Sequence, residues 1–327
     1  MTEPGEPTVP TEPTVPPEPT VPTEPTGASS GPPLAAAVRA ATHRLAEAGI
    51  ASAPVDALLL AAHALGVEPA EARRLLFLGR TDAPPGYADL VAERAHRVPL
   101  QHLTGRAAFR RLDLAVGPGV FVPRPETETL VSLALDALAG EGMPSAPLVV
   151  DLATGSGAIA LAVKDEHPAA QVHAVELDPL AHGWAVANRD RLGLAVELAL
   201  GDARTAYPPF AGLVDLVTCN PPYIPPGQVP VDPEVRDHDP ALALYGGGTD
   251  GLELPLALVA RAATLLRPGG VLLLEHADVQ GGALLRALAA DPAWERATDH
   301  ADLAGRPRVV QAVRSSSAAP AEPAAPA

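Results

Sequence analysis

The chain has 327 residues, 47% hydrophobic but only 3% aromatic, which suits about two domains with cores built from Ala, Leu and Val. A single cysteine, Cys219, excludes an intrachain disulfide and a Cys-rich zinc site, and a reducing cytoplasm is the simplest compartment. The formal net charge of -16 speaks against a duplex nucleic-acid binder, no stretch nears the ~18 uninterrupted apolar residues of a membrane span, and the opening residues lack the basic and apolar runs of a secretory leader.

Residues 1–32 repeat a proline-ended tripeptide (TEP, GEP, TVP) with five Glu and no basic residue. Proline at every third position favours an extended polyproline chain, so this tract reads as a disordered tail. Residues 315–327, rich in Ser, Ala and Pro, read as a second one. Residues 33–104 read as a small helical domain. Leu34, Val38, Ala41, Leu45 and Ala48 recur at helical spacing before Gly49, and further helical runs follow from Val55 to Gly66, over 70–78 and over 87–98. Residues 105–125 read as a hairpin-like connector turning at Gly117-Pro118-Gly119.

From 126 to 314 strands and helices alternate. Strands are predicted at 148–152, 172–176, 196–200, 213–218, 271–275 and 309–313. Helices are predicted at 128–138, 158–165, 181–191, 252–266 and 279–289. This alternation implies an α/β, doubly wound, mostly parallel sheet with helices on both faces. Charge divides the same way: 11 bases against 8 acids in 33–125, but 12 against 25 in 126–314.

Three motifs carry chemistry. The first, Asp151-Leu152-Ala153-Thr154-Gly155-Ser156-Gly157, lies between a strand and a helix, with Glu176 ending the next strand. Its glycines let backbone approach a ligand, and the acid suits two ribose hydroxyls. That spacing fits a nucleoside-containing cofactor, either NAD or S-adenosylmethionine; the plain alternative is a tight strand-to-helix turn. The second, Asn220-Pro221-Pro222-Tyr223, follows a strand. The Asn220 side-chain oxygen and the Pro221 carbonyl form a stiff pair of acceptors for a planar NH2, and Tyr223 can stack on it. Methyl transfer to nitrogen has a use for that pair, whereas hydride transfer has none. The third, Pro123-Arg124-Pro125-Glu126-Thr127-Glu128, offers Thr127 as a helix N-cap and leaves Arg124 as a charge placed near the site. Asp202, after the strand at 196–200, reads either as a partner for an adenine amine or as a turn residue. Glu275-His276 reads as packing or capping, Cys219 as a buried strand residue, and no spacing among the ten His suits a metal.

Together with Pro99-Leu100-Gln101-His102-Leu103-Thr104-Gly105 and the stretch from Gly270 to His276, these motifs make residues 34–314 resemble the release factor glutamine methyltransferase family. The resemblance implies a seven-stranded Rossmann-like methyltransferase sheet behind a helical substrate-recognition domain. It implies S-adenosylmethionine as donor, and as substrate the glutamine of the Gly-Gly-Gln motif in peptide chain release factors. By match, Ala153, Thr154, Gly155, Ser156, Gly157, Glu176 and Asn220 contact the cofactor. Asn220, Pro221, Pro222 and Tyr223 hold the glutamine amide. The family has glycine where this chain has Ala153; a small side chain is tolerated there if φ is negative. Ala203 stands where some members carry an aromatic beside the adenine.

The expected partner is thus a protein, with no nucleic acid, membrane or metal, and a monomer as the working form. A nucleic-acid amino methyltransferase acting on adenine or cytosine is the competing enzyme, disfavoured by the acidic catalytic region. A non-catalytic module that keeps the cofactor pocket is disfavoured by the intact tetrapeptide.

Overall fold

The computed structural model describes residues 31–79 and 81–316. Most of the two tail assignments, 1–30 and 317–327, lies outside the described residues. At both edges the packed body takes in residues counted above with the tails. The Pro32 carbonyl accepts from the Ala83 amide at 2.9 Å, and the Ser315 amide donates to the Ala293 carbonyl at 2.8 Å.

The front of the chain forms α1 (Leu34–Glu47), α2 (Ala53–Leu65), α3 (Pro69–Leu78), α4 (Tyr87–Ala95) and α5 (Leu100–Thr104). Leu34, Ala41 and Leu45 bury one face of α1 against Ala57, Leu60 and Ala61 of α2 and Val91 of α4. The Tyr87 hydroxyl donates to the Ala57 carbonyl at 2.9 Å, so this buried phenol is satisfied. Gly66 and Gly79 close α2 and α3 in the left-handed conformation, at φ 66° and 63°. The run predicted over 87–98 stops early, with α4 ending at Ala95, and a short α5 that was not predicted follows Pro99 and is stopped by Gly105.

The connector is a hairpin of β1 (Arg106–Phe109) and β2 (Leu112–Ala115), with Phe109 opposite Leu112. Its turn falls at Arg110 and Arg111, not at Gly117-Pro118-Gly119 as predicted, and Arg110 takes φ 52°. That strained turn is held by an ion pair of Arg110 with Glu166 and by a 2.8 Å bond from Arg110 to Ser132 Oγ. Gly117 instead lets the chain pass Trp184, where a Cβ would sit 2.6 Å from the ring.

Behind the hairpin lie α6 (Glu128–Leu138), β3 (Leu148–Leu152), α7 (Ala158–Glu166), β4 (Gln171–Glu176), α8 (Pro179–Leu192), β5 (Val196–Leu200), β6 (Val214–Cys219), α9 (Pro233–His238), α10 (Glu253–Leu265), β7 (Leu266–Glu275), α11 (Gly281–Ala290), β8 (Trp294–Ala301) and β9 (Pro307–Arg314). Seven strands form one sheet in the order β5-β4-β3-β6-β7-β9-β8, parallel except for β9, which runs antiparallel to β7 and β8. Alternate strand residues feed two cores. Val149, Val172 and Leu216 face α6, α7 and α8, while Val150, Val217 and Leu272 face α10 and α11. The seven-stranded, mostly parallel sheet with helices on both sides is the architecture expected.

Two strand readings change. The edge strand β8 was absent from the prediction because only Trp294 of its eight residues is buried, so no apolar run marks it. β7 begins at Leu266 and carries Pro268-Gly269-Gly270 inside it, beside a register shift opposite Val214.

The long segment after β6 is strapped to the helical domain through α9. Glu234 takes bonds from Arg94 at 2.6 Å and Arg97 at 2.5 Å, and Arg94 also donates to Asp56 at 2.7 Å. Asp56, Arg94 and Glu234 are all buried. Burial alone would raise the Glu234 carboxyl, but hydrogen bonds from Asp232, Arg97 and Arg94 outweigh it and hold it at about 2.

Candidate active site

The chain runs outward through β3, β4 and β5 and then returns to place β6 on the other side of β3. At this switch point the carboxyl ends of β3, β4 and β6 open onto a cleft of about 1040 Å3. Its walls include Ala153, Thr154, Gly155, Ser156, Glu176, Asp202, Arg124 and the run Asn220-Pro221-Pro222-Tyr223. Gly157 is the one predicted site residue set back from the cleft. It starts α7 at φ 84°, packed so closely that a Cβ would meet Leu161 at 3.0 Å.

The turn after β3 is held from beneath. Asp151, fully buried, accepts from Thr154 Oγ1 at 2.5 Å and from Thr218 Oγ1 at 2.7 Å, tying the turn to both β3 and β6. Burial raises the Asp151 carboxyl to about 6, against the two hydroxyls that favour its charge. A Cβ on Gly155 would meet nothing within 4 Å, so that side of the turn faces open space.

Ala153 corrects the expectation of a negative φ, for it sits at 59°. The turn needs a left-handed residue there, and alanine takes it at a cost of about 1–2 kcal/mol. Ala153→Gly removes that strain but adds back roughly 0.4–1 kcal/mol of chain entropy in the unfolded state. The expected net is a gain of about 0.5–1 kcal/mol, read as a melting temperature higher by ~1–3 °C without ligand. A lower melting temperature for the variant would contradict the strain.

Glu176 is buried at the end of β4. Its Oε2 accepts from the Gly155 amide at 2.8 Å, and its Oε1 from the amides of Leu177 at 2.8 Å and Asp178 at 2.9 Å. These bonds fix the carboxylate beside the glycine turn and leave it acceptor capacity. Asp202 also reaches the cleft, but both its oxygens are engaged by the Arg204 guanidinium, whose hydrogen bonds hold the carboxyl below its ordinary range. Ala203 lines the wall beside it.

Asn220 follows β6 directly. Its Nδ2 donates to Thr127 Oγ1 at 3.3 Å, and the side chain favours the charged form of the Glu275 carboxyl. Among the described residues, no donor reaches Asn220 Oδ1 or the Pro221 carbonyl. Pro221 is buried, and Pro222 and Tyr223 are half-buried. Burial raises the Tyr223 hydroxyl, so it stays a neutral phenol. Gln280 Nε2 donates to the Tyr223 carbonyl at 2.8 Å and to that of Asp250 at 2.9 Å. Beneath the tetrapeptide pass two glycines. A Cβ on Gly246 would lie 2.6 Å from the Pro222 carbonyl oxygen, and one on Gly251 would lie 2.1 Å from that of Tyr223. Only glycine fits at either place.

Thr127 departs from its predicted role. It already has helical angles, φ -65° and ψ -19°, at the end of a tight Pro125–Thr127 turn, and its side chain caps nothing. The hydroxyl serves Asn220 instead. Arg124 lies on the cleft wall with its guanidinium 4.9 Å from the Phe121 ring and bonded to Asp239 Oδ2 at 2.6 Å. Sequence reasoning passed over Glu275, Gln280 and the glycines at 246 and 251. Only the glycine run Gly246-Gly247-Gly248, close after the tetrapeptide, gave a readable signal.

Two family models match, the PrmC N-terminal domain over residues 36–105 and the methyltransferase small domain over 133–232. The chain is 50% identical over 280 residues to a release factor glutamine methyltransferase of Streptomyces coelicolor, covering 85% of this chain and 97% of that one. It is 47% identical to another from Mycolicibacterium smegmatis, covering 86% and 98%. A 4-amino-L-phenylalanine/4-methylamino-L-phenylalanine methyltransferase of Streptomyces pristinaespiralis is 44% identical, covering 83% and 89%. Among solved structures, the hMettl16 catalytic domain in complex with an RNA hairpin shares the fold with TM-score 0.51 at 16% identity, covering 72% of this chain and 84% of that one.

Proposed function

Because the chain belongs to the release factor glutamine methyltransferase family, we propose that it methylates the side-chain amide nitrogen of the glutamine in the Gly-Gly-Gln motif of peptide chain release factors. S-adenosylmethionine is the donor and, when bound, supplies an electrophilic sulfonium methyl. In this reading the enzyme acts in the cytoplasm, on a protein and not on nucleic acid.

The residues present fit that cofactor. The open face of the turn at Gly155 and the carboxylate of Glu176 beside it make a cradle for a nucleoside. Ala153, Thr154, Ser156 and Asn220 complete its walls, with Gly157 shaping the turn from behind. Asp202, already paired with Arg204, offers the adenine side an ion pair and not a free carboxylate.

One observation carries the reading: Asn220 turns its NH2 back into the protein, which leaves two oxygens without donors beside the cofactor turn. An amide nitrogen is a weak nucleophile because its lone pair is shared with the carbonyl. Asn220 Oδ1 and the Pro221 carbonyl accept its two N–H bonds, aim the nitrogen, and stabilise the positive charge that develops on it. Pro222 stiffens the pair and Tyr223 covers the flat face of the amide. Arg124 shapes the substrate side through Asp239. The proton leaves to solvent after transfer. Tyr223→Ala is expected to slow turnover roughly 10-fold, the value of a lost stacking contact, and Tyr223→Phe to stay within about threefold. The opposite order would assign the work to the hydroxyl.

Direct assay decides the substrate. Incubation with S-adenosylmethionine and a release factor, followed by digestion and mass spectrometry, should show one added methyl on the Gly-Gly-Gln peptide. The pristinaespiralis relative makes 4-amino-L-phenylalanine the control to run beside it, with DNA and RNA. Methylation of a control and not of the release factor would overturn the reading.

A further inference from the structure

The structure holds a buried carboxylate behind Asn220 that the reaction above does not use. β6 and β7 run parallel with Cys219 opposite Leu274, so the next residues, Asn220 and Glu275, stand side by side. Glu275 is buried, does not line the cleft, and leaves its Oε2 without a hydrogen-bond partner. Thr127 and Asn220 both favour its charged form, and Thr127 Oγ1 takes the 3.3 Å bond from Asn220 Nδ2.

We propose that Glu275 is the positioning residue that fixes the Asn220 carboxamide with its oxygen toward the substrate, and that its ionisation state gates methyl transfer. The inference rests on the role given to Asn220 above. A carboxylate only accepts hydrogen bonds. Facing Glu275, the amide must present Nδ2, because the flipped form would set Oδ1 against a buried negative charge. A protonated Glu275 carries a donor hydroxyl, and that donor rewards the flipped form. The substrate then meets an NH2 where it needs an acceptor.

The surroundings place the change within reach of ordinary conditions. Burial raises the Glu275 carboxyl to about 7. Thr127, Arg308 on β9 and Asn220 favour its charge, while Glu126 beside Thr127 opposes it. The Tyr223 hydroxyl on the following loop and the Cys219 thiol on β6 also feel its field, and both stay neutral. Arg308 is itself paired with Asp302. Activity that needs the carboxylate therefore rises with pH through about 7 and is lost below it.

The test is the pH profile of turnover on a release factor, for the wild type and Glu275→Gln, with melting curves to confirm folding. The variant is expected to lose the acid limb and to turn over roughly 10-fold more slowly at pH 8, with cofactor KM within about twofold. An unchanged limb, or full turnover, overturns the proposal. If Glu275→Gln does not fold, Thr127→Val takes its place. Removing the hydroxyl that favours the charged form should move the limb to higher pH, and a limb that stays put overturns the proposal. The two readings fail separately. A normal rate for Asn220→Ala sinks the substrate reading, while an inactive Asn220→Ala beside a fully active Glu275→Gln sinks only the gate.

Discussion

Replacing Asn220 with alanine is expected to lower turnover on a release factor by at least ~10²-fold, the scale seen when one preorganised polar partner of a transition state is removed. The loss should fall on kcat and spare most of the cofactor affinity, because the glycine turn and Glu176 stay in place. Truncation does more than delete one acceptor. It also leaves Thr127 without the amide that donates to it, and removes from beside the buried Glu275 carboxylate a group that favours its charge. Single-turnover assays at saturating cofactor check the result, and near-normal rates would refute the assignment.

The second large effect lies far from the chemistry. Arg94→Ala should destabilise the protein by about 3–5 kcal/mol, because it strands Asp56 as a buried charge and leaves Glu234 paired with Arg97 alone. In a thermal melt this is a drop on the order of 10 °C. Acid should act on the same cluster. Glu234 titrates near 2 in the folded chain against 4.5 ordinarily, so its contribution is complete above pH 4.5 and fades as pH falls toward 2. The wild type should therefore lose stability across that window more steeply than Arg94→Ala. Parallel acid melts of the two would expose any error in this account.

The sequence carried the fold wherever burial leaves a pattern. Residues 148–152 and 128–138 were legible to the residue, because a strand buried on both faces or a helix with one apolar stripe leaves a clear pattern, and the edge strand at 196–200, with only Val196 buried, was legible from its apolar Val-Glu-Leu-Ala-Leu run. The turn of the first motif was legible from its glycines. What escaped depends on contacts between distant segments. β8 is an edge strand with a polar surface, and α9 is a short helix tied down by arginines far ahead of it in the chain. Thr127 fits the pattern of a cap, and only the tight turn before it redirects its hydroxyl toward Asn220. Glu275 follows an apolar strand as many packing residues do. Its place beside Asn220 comes from the pairing of β6 with β7, which no local pattern reports. Ala153 misled in the other direction, since its small size suggested tolerance while its backbone angle carries the strain.

The cluster of Asp56, Arg94 and Glu234 also limits how such a chain can be rebuilt. A chimera that takes its front half from one homologue and its back half from another must import all three residues as a set. Otherwise it inherits a guanidinium or a carboxylate sealed away from water with part of its pairing gone. The two modules are in that sense a single heritable unit, joined by charge where the linear order of the chain suggests a free joint.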